Sequence, residues 1–199
     1  QGELGPEETV KGLREAFAAN RIVPIFAGSA VKGSGVAALL DFVAEIAPDP
    51  SWSVPEVVVL ADGTERKHPY DASGQPTALV IKTQIDQFSG RISWLKIFGG
   101  TRKADMGLLD VRENKKEKVG KLFTATGKKL EEVQELCAGD IGMTTKVAAL
   151  HTNDTLSLEA EPLPFKYLRL PQPVHALAIS AVNKKEEDKL GELLHKAAE

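Results

Sequence analysis

Apolar positions along the chain change their spacing twice, dividing it into three stretches of different character. Val10, Leu13 and Phe17 recur at helical spacing behind Pro6-Glu7-Glu8, whose acids suit a helix N-terminus, and this helix is expected to end near Asn20. Ile22–Phe26 is a short apolar run that reads as a buried strand, with Pro24 where a missing N–H is tolerated. Val36, Leu39, Leu40, Val43 and Ile46 then form a second helical face after Gly33-Ser34-Gly35, stopping before Pro48. Residues 7–47 are therefore predicted to be α-β-α, the kind of unit found at the edge of a larger α/β sheet. One strand and two helices bury little by themselves.

From Pro48 to Gln75 the chain is a polar connector with a short strand at Val57–Leu60 and a turn at Asp62-Gly63. The spacing then becomes that of a sheet. Thr77–Asp86 alternates Ala78, Val80 and Lys82 against Leu79, Ile81 and Thr83, and Gly90–Phe98 places Ile92, Trp94 and Lys96 opposite Leu95 and Ile97. Further strands are expected at Leu108–Val111, Lys118–Phe123, Ile141–Lys146 and Thr155–Leu158, with a helical turn over Lys128–Leu136. Many short strands at this spacing predict a small antiparallel barrel over about residues 76–158. Pro162, Pro164, Pro171 and Pro173 mark a linker. Beyond it, Val174–Ala181 reads as a strand and Lys184–Ala198 as a charged helix carrying Leu190, Leu193 and Leu194.

Composition narrows the function classes. With 199 residues and 42% apolar content the chain can hold one large or two small cores. A net charge of −3 supplies no global field for nucleic acid, so any RNA contact must use a local patch. The single cysteine, Cys137, excludes an intramolecular disulfide and suits a reducing, cytoplasmic setting. No apolar run approaches the ~20 residues of a membrane-spanning helix, and the acidic start lacks a signal-peptide pattern. Gln1 in place of an initiator Met suggests a chain that begins inside a longer protein.

Several stretches resemble, in order, elongation factor G and its paralogues among the translational GTPases. Val23-Pro-Ile-Phe-Ala-Gly-Ser-Ala-Val-Lys-Gly-Ser-Gly-Val with Leu39-Leu40-Asp41 is similar to the end of that family's GTPase domain. Gly90-Arg91-Ile92, Gly99-Gly100-Thr101, Lys118-Val119, Leu130-Glu-Glu-Val and Ala138-Gly-Asp-Ile-Gly resemble its domain II barrel, and Thr152-Asn-Asp-Thr-Leu the turn that closes it. Pro171-Gln-Pro-Val with Ala178-Ile179 is similar to the entry into domain III. The fold class implied is mixed α/β and all-β, in three pieces. These are an α-β-α remnant of a P-loop GTPase domain, a translation-factor antiparallel β-barrel, and the first β-α of a ferredoxin-like domain. The implied divisions are 1–50 for the GTPase remnant, 51–75 for a connector, 76–160 for the barrel, 161–173 for a linker and 174–199 for a truncated domain III.

The resemblance implies a parent that binds GTP or GDP with Mg and acts on the ribosome in translocation, with the barrel docked on small-subunit rRNA. Ribosome-protection and peptide-release GTPases share this layout, and a standalone barrel module without GTPase activity is the alternative of another class. Neither DNA nor a membrane is an expected partner. The sequence contains no Gly-x-x-x-x-Gly-Lys-Ser/Thr and no guanine-reading Asn-Lys-x-Asp, so the chain as given is expected to be no enzyme, and to hold no cofactor of its own. Val182-Asn183-Lys184-Lys185-Glu186 comes near the latter motif but has Glu for Asp and follows Ser29-Ala30 in the chain, so it reads as a capped helix start. Thr126-Gly127-Lys128-Lys129 lacks the upstream Gly and following hydroxyl of a phosphate loop, and Asn114-Lys115-Lys116-Glu117 sits in a hairpin.

Two sets of residues remain as candidate sites. Gly28, Ser29 and Ala30 are either an ordinary strand-to-helix turn or, by the resemblance, the parent's guanine loop, in which the Ala30 N–H meets the guanine carbonyl. Arg112, Lys115, Lys116, Lys118 and Lys121 form the densest basic run, either a solvated hairpin face or an rRNA phosphate contact. Arg91 is a separate candidate, for RNA or for packing on a neighbouring domain. His68, His151, His175 and His195 lack metal-ligand spacing to one another or to Cys137. Glu131-Glu132 and Glu186-Glu187-Asp188 read as solvated helix faces, so no catalytic or metal-binding residue is expected.

Overall fold

The structure, a computed structural model, describes residues 5–52, 55–86, 89–127, 129–166, 171–183 and 186–197, apart from the side chains at 188, 195 and 196. It divides into two compact units, Gln1–Val54 and Pro55–Glu199.

In the first unit, helix α1 spans Pro6–Ala18 and α2 spans Val36–Glu45. The Gly5 N–H donates to Glu8 Oε2 at 3.0 Å, so an acid in the first turn satisfies a donor the helix cannot. Phe42 of α2 packs edge-on against Phe17 and Phe26 at 5.4 and 5.1 Å, and Arg14 Nε donates to the Glu45 carbonyl at 2.6 Å. Ile46 is the one buried residue among those described in this unit. The strand expected at Ile22–Phe26 does not form. With no neighbouring strand among the described residues, the segment has no ladder to join, and Val23 and Ile25 stand 84% and 92% exposed.

The second unit is built on strands. β1 (Glu56–Val59) and β2 (Glu65–His68) form a hairpin about Asp62-Gly63. The remaining strands are β3 (Thr77–Asp86), β4 (Gly90–Gly99), β5 (Thr101–Lys103), β6 (Gly107–Asp110), β7 (Lys115–Lys118), β8 (Leu122–Thr126), β9 (Lys129–Val133), β10 (Glu135–Cys137), β11 (Ile141–Thr145) and β12 (Thr155–Ser157). Eight of them make one antiparallel sheet in the order β7-β6-β12-β3-β4-β11-β8-β9. β5 and β10 pair separately. Ala138 N–H to the Gly100 carbonyl (3.0 Å), Gly139 N–H to Ile97 (2.8 Å) and Asp105 N–H to Gly120 (3.0 Å) tie that pair to the sheet, giving a barrel-like curl.

β3 and β4 are covered on both faces, which explains their nearly continuous apolar character. Ala78, Val80, Leu95 and Ile97 point inward to a core with Leu108, Leu122, Leu136, Leu150 and Leu156. Leu79 and Phe98 point the other way and are covered by Val58 of β1 together with Leu163 and Phe165. Phe165 continues this cover: its ring lies 4.6 Å from Phe98, and Val59 N–H donates to the Pro164 carbonyl at 2.8 Å. Each fully buried apolar side chain contributes about 1.5–3 kcal/mol. Between β4 and β5 the chain turns at Gly100, with φ 58°, and a Cβ there would stand 2.5 Å from the Gly74 carbonyl oxygen. Only glycine fits this close approach.

Four further expectations are corrected. The run Lys118–Phe123 is no single strand: Lys118 ends β7 against β6, while Leu122 begins β8 against β11 and β9. No helical turn occupies the described part of 128–136, because Leu130–Val133 pairs with β8 across a turn at Gly127 (φ 62°); Lys128 lies outside the described residues. Val174–Ala181 forms no strand, and Val174 and Leu177 are 100% and 79% exposed. Glu131 and Glu132 consequently lie on a strand, not a helix. The last helix, α3, spans Glu187–Ala197; Lys184, Lys185 and Ala198 lie outside the described residues.

Candidate nucleic-acid interface

The basic run folds as the β6–β7 hairpin, whose turn is organised by a buried carboxylate. Asp110 Oδ1 accepts the Arg112 N–H at 3.0 Å and the Glu113 N–H at 3.4 Å, and Asn114 takes the left-handed conformation (φ 51°) that turns the chain back. Burial and the neighbouring Asp154 push the Asp110 carboxyl above its ordinary pKa, against the two N–H bonds and the Arg112 charge.

The six predicted basic residues separate into three groups. Arg112 turns back onto the barrel: Nε and Nη2 meet Asp154 Oδ1 and Oδ2 at 2.5 and 3.0 Å, and Asp154 is fully buried. That bond to Asp154 holds the guanidinium charged, above its ordinary range. Arg91 is also nearly buried, its Nη1 donating to the Leu150 carbonyl at 2.9 Å and to that of Ala148. Both arginines thus pin loops of the barrel. Lys115 and Lys116 lie near the hairpin tip, opposite Asp110 and Leu109, and pair with Glu117 and Glu159 at 3.1 and 2.5 Å.

Lys118, at the open end of the hairpin opposite Gly107, and Lys121, between β7 and β8, form the third group. With Lys146 they line a groove of about 600 Å³ that also contains Ser89, Gly120, Phe123, Leu130 and Val147. Lys146 is not a candidate in sequence, because it is an isolated cation between Thr145 and Val147. It joins the others because β11 pairs with β8, placing the residue after β11 beside the residue before β8. Its backbone is left-handed, φ 63°.

In the first unit, Gly28 and Gly35 approach so closely that a Cβ on either would stand 2.7 or 2.5 Å from a carbonyl oxygen of the facing segment. This contact folds residues 28–35 into a tight loop, with Ser29 N–H donating to the Ser34 carbonyl at 2.9 Å and Lys32 N–H to Ser29 Oγ at 3.3 Å. The loop edges a recess of about 210 Å³ lined by Phe26, Ala30, Val36 and Leu39. Among the described residues the Ala30 N–H has no acceptor.

The remaining candidates are not brought together. Among the described residues no three His, Cys, Asp or Glu side chains are placed to hold a metal ion, and the His195 side chain lies outside them. Cys137 is exposed. Glu186 N–H donates to the Asn183 carbonyl at 2.9 Å in the turn before α3; Lys184 and Lys185 of that motif are outside the described residues. Among the described residues no helix is long and apolar enough to cross a membrane.

Residues 75–159, the strands from β3 to β12, match the family model for elongation factor G domain 2. This barrel segment is similar to domain 2 of elongation factor G. A crystal structure from Thermus thermophilus superposes with a TM-score of 0.76 at 27% sequence identity, over 98% of this chain and 27% of that one. The chain therefore spans about a quarter of the length of that relative. In the elongation factor G-like barrel, the matched segment contains Arg91, Arg112, all four candidate lysines and Lys146.

Proposed function

We propose that this chain is part of an elongation factor G-like translation factor and that its barrel docks on rRNA of the small ribosomal subunit. The match of residues 75–159 to elongation factor G domain 2 carries the reading. Lys115, Lys116, Lys118 and Lys121 are two-thirds exposed on one hairpin and its extension, and lysine contacts to phosphate position without reading sequence. The whole protein is read as a cytoplasmic GTPase that drives translocation. The divisions at 50, 75, 160 and 173 belong to the same reading, with 1–50 as the end of the GTPase domain and 174–199 as the opening of the next domain.

Gly28, Ser29 and Ala30 fit a guanine loop in one respect: a free Ala30 N–H stands at the edge of a recess with apolar walls. Such a bond contributes about 1 kcal/mol net, too little to hold a nucleotide by itself. GTP and Mg would be held mainly by phosphate-binding residues this sequence does not contain. The chain's own contribution is thus positional: a shaped edge at 28–35 and a docking barrel.

Co-sedimentation with purified small subunits across a salt series tests this function. Salt-sensitive binding that weakens when Lys115, Lys116 and Lys118 are changed to Glu is the expected result. Absence of binding at the lowest salt overturns the docking role.

A further inference from the structure

We propose that the groove lined by Lys118, Lys121 and Lys146 takes an unstacked nucleotide of single-stranded RNA, its base against Phe123 and the adjoining phosphates among the three ammonium groups. The proposal rests on the docking role above in that it names the feature of RNA the barrel holds.

Groove chemistry favours this occupant over others. Phe123 and Leu130 give the groove an apolar part beside Val147 of the core, and its charged lining is three lysines, with no carboxylate among the lining residues. A flat base has a face for Phe123 and brings anions to its edge, whereas an acidic peptide brings charge without a flat apolar face. Exposed lysines gain little from one phosphate, and their contacts add up only along successive phosphates, which favours a strand over a free nucleotide.

The lysines are also available. Lys118 pairs with Asp105 at 3.4 Å and Lys121 with Glu132 at 2.6 Å, but all four side chains are 44–73% exposed. Exposed pairs of this kind contribute about 0–1 kcal/mol and exchange readily for phosphate. Lys146 has no ion pair among the described residues. The cradle itself is fixed, since Thr144 Oγ1 donates to the Lys121 carbonyl at 3.1 Å and Met143 pairs with Phe123.

Fluorescence anisotropy of a labelled oligouridylate with the 199-residue chain, across a salt series, tests the assignment. Three neutralised phosphates predict a log–log salt slope near −2, at about 0.7 per contact. Changing Lys118, Lys121 and Lys146 together to Ala should flatten that slope and weaken binding more than about tenfold. Phe123→Leu keeps an apolar side chain in β8 and should weaken binding about fivefold with the slope unchanged.

Unaltered binding by the triple-lysine variant overturns the proposal, as does equal binding of polyglutamate or of a uridine mononucleotide. Parallel co-sedimentation separates the two readings. Subunit binding without oligouridylate binding removes the groove and leaves docking standing; oligouridylate binding without subunit binding removes docking and leaves the groove.

Discussion

Arg112 and Asp154 join two turns that lie 42 residues apart in sequence, through a paired contact of 2.5 and 3.0 Å onto a carboxylate with no solvent exposure. Asp154 also accepts the His151 N–H at 2.6 Å, and Arg112 Nη2 lies 2.9 Å from His151 Nδ1. A residue from the densest basic run is therefore committed to the fold.

Removing that arginine leaves a buried carboxylate without its cation. Arg112→Ala is expected to destabilise the barrel by about 3 kcal/mol, the low end for a broken buried pair because the guanidinium is one-third exposed. Arg112→Lys should recover only part, since an ammonium cannot reproduce the two-point contact. Urea unfolding measures both; a loss under about 0.5 kcal/mol for the alanine variant would contradict the structural role.

Asp110 gives a pH signature of opposite sign to the usual carboxylate. Burial, then Asp154, raise its folded pKa above the unfolded value of about 3.8, so the folded state prefers the proton. Below the unfolded pKa the group contributes no penalty; as pH rises through the folded pKa its ionisation costs stability. Asp110→Asn retains an oxygen for the Arg112 and Glu113 N–H groups and cannot ionise. Its stability relative to the unsubstituted chain should improve as pH rises above about 4 in paired urea titrations. A constant difference across that range would show that Asp110 does not titrate in this environment.

His68 acts in the other direction. Its ring lies edge-on to Phe165 at 5.6 Å with Nε2 buried, and burial followed by Arg66 lowers its pKa, against the weaker influence of Asp71 and Glu161. Stability from the neutral ring is present above the unfolded pKa of about 6.5 and is lost as pH falls towards the folded value. Hydrogen-exchange protection in β1 and β2, relative to the intrinsic rate at each pH, should fall over that window, and His68→Leu should remove the fall. An equal fall in the variant would place the titrating group elsewhere.

Local pattern made much of the barrel legible. The two-sided apolar content of Thr77–Asp86 and Gly90–Gly99 identifies the central hairpin, because a strand covered on both faces needs apolar groups at successive positions. Leu130–Val133 shows where this fails: four residues carry too few turns or alternations to separate helix from strand, and pairing of Leu122 with Val133 decides it. Ile22–Phe26 and Val174–Ala181 have strand composition yet join no strand among the described residues, since a strand is a property of two segments and composition belongs to one.

The candidate site divides along the same line. Sequence by itself determined where cations are dense, which residue types could meet phosphate, and that no phosphate loop lies in these residues, because each is a matter of composition or spacing. Tertiary structure alone decided that Arg91 and Arg112 are consumed by buried acceptors while Lys146 joins Lys118 and Lys121. Which charges face one another depends on strand register and loop closure, and those are set by contacts between residues far apart in the chain.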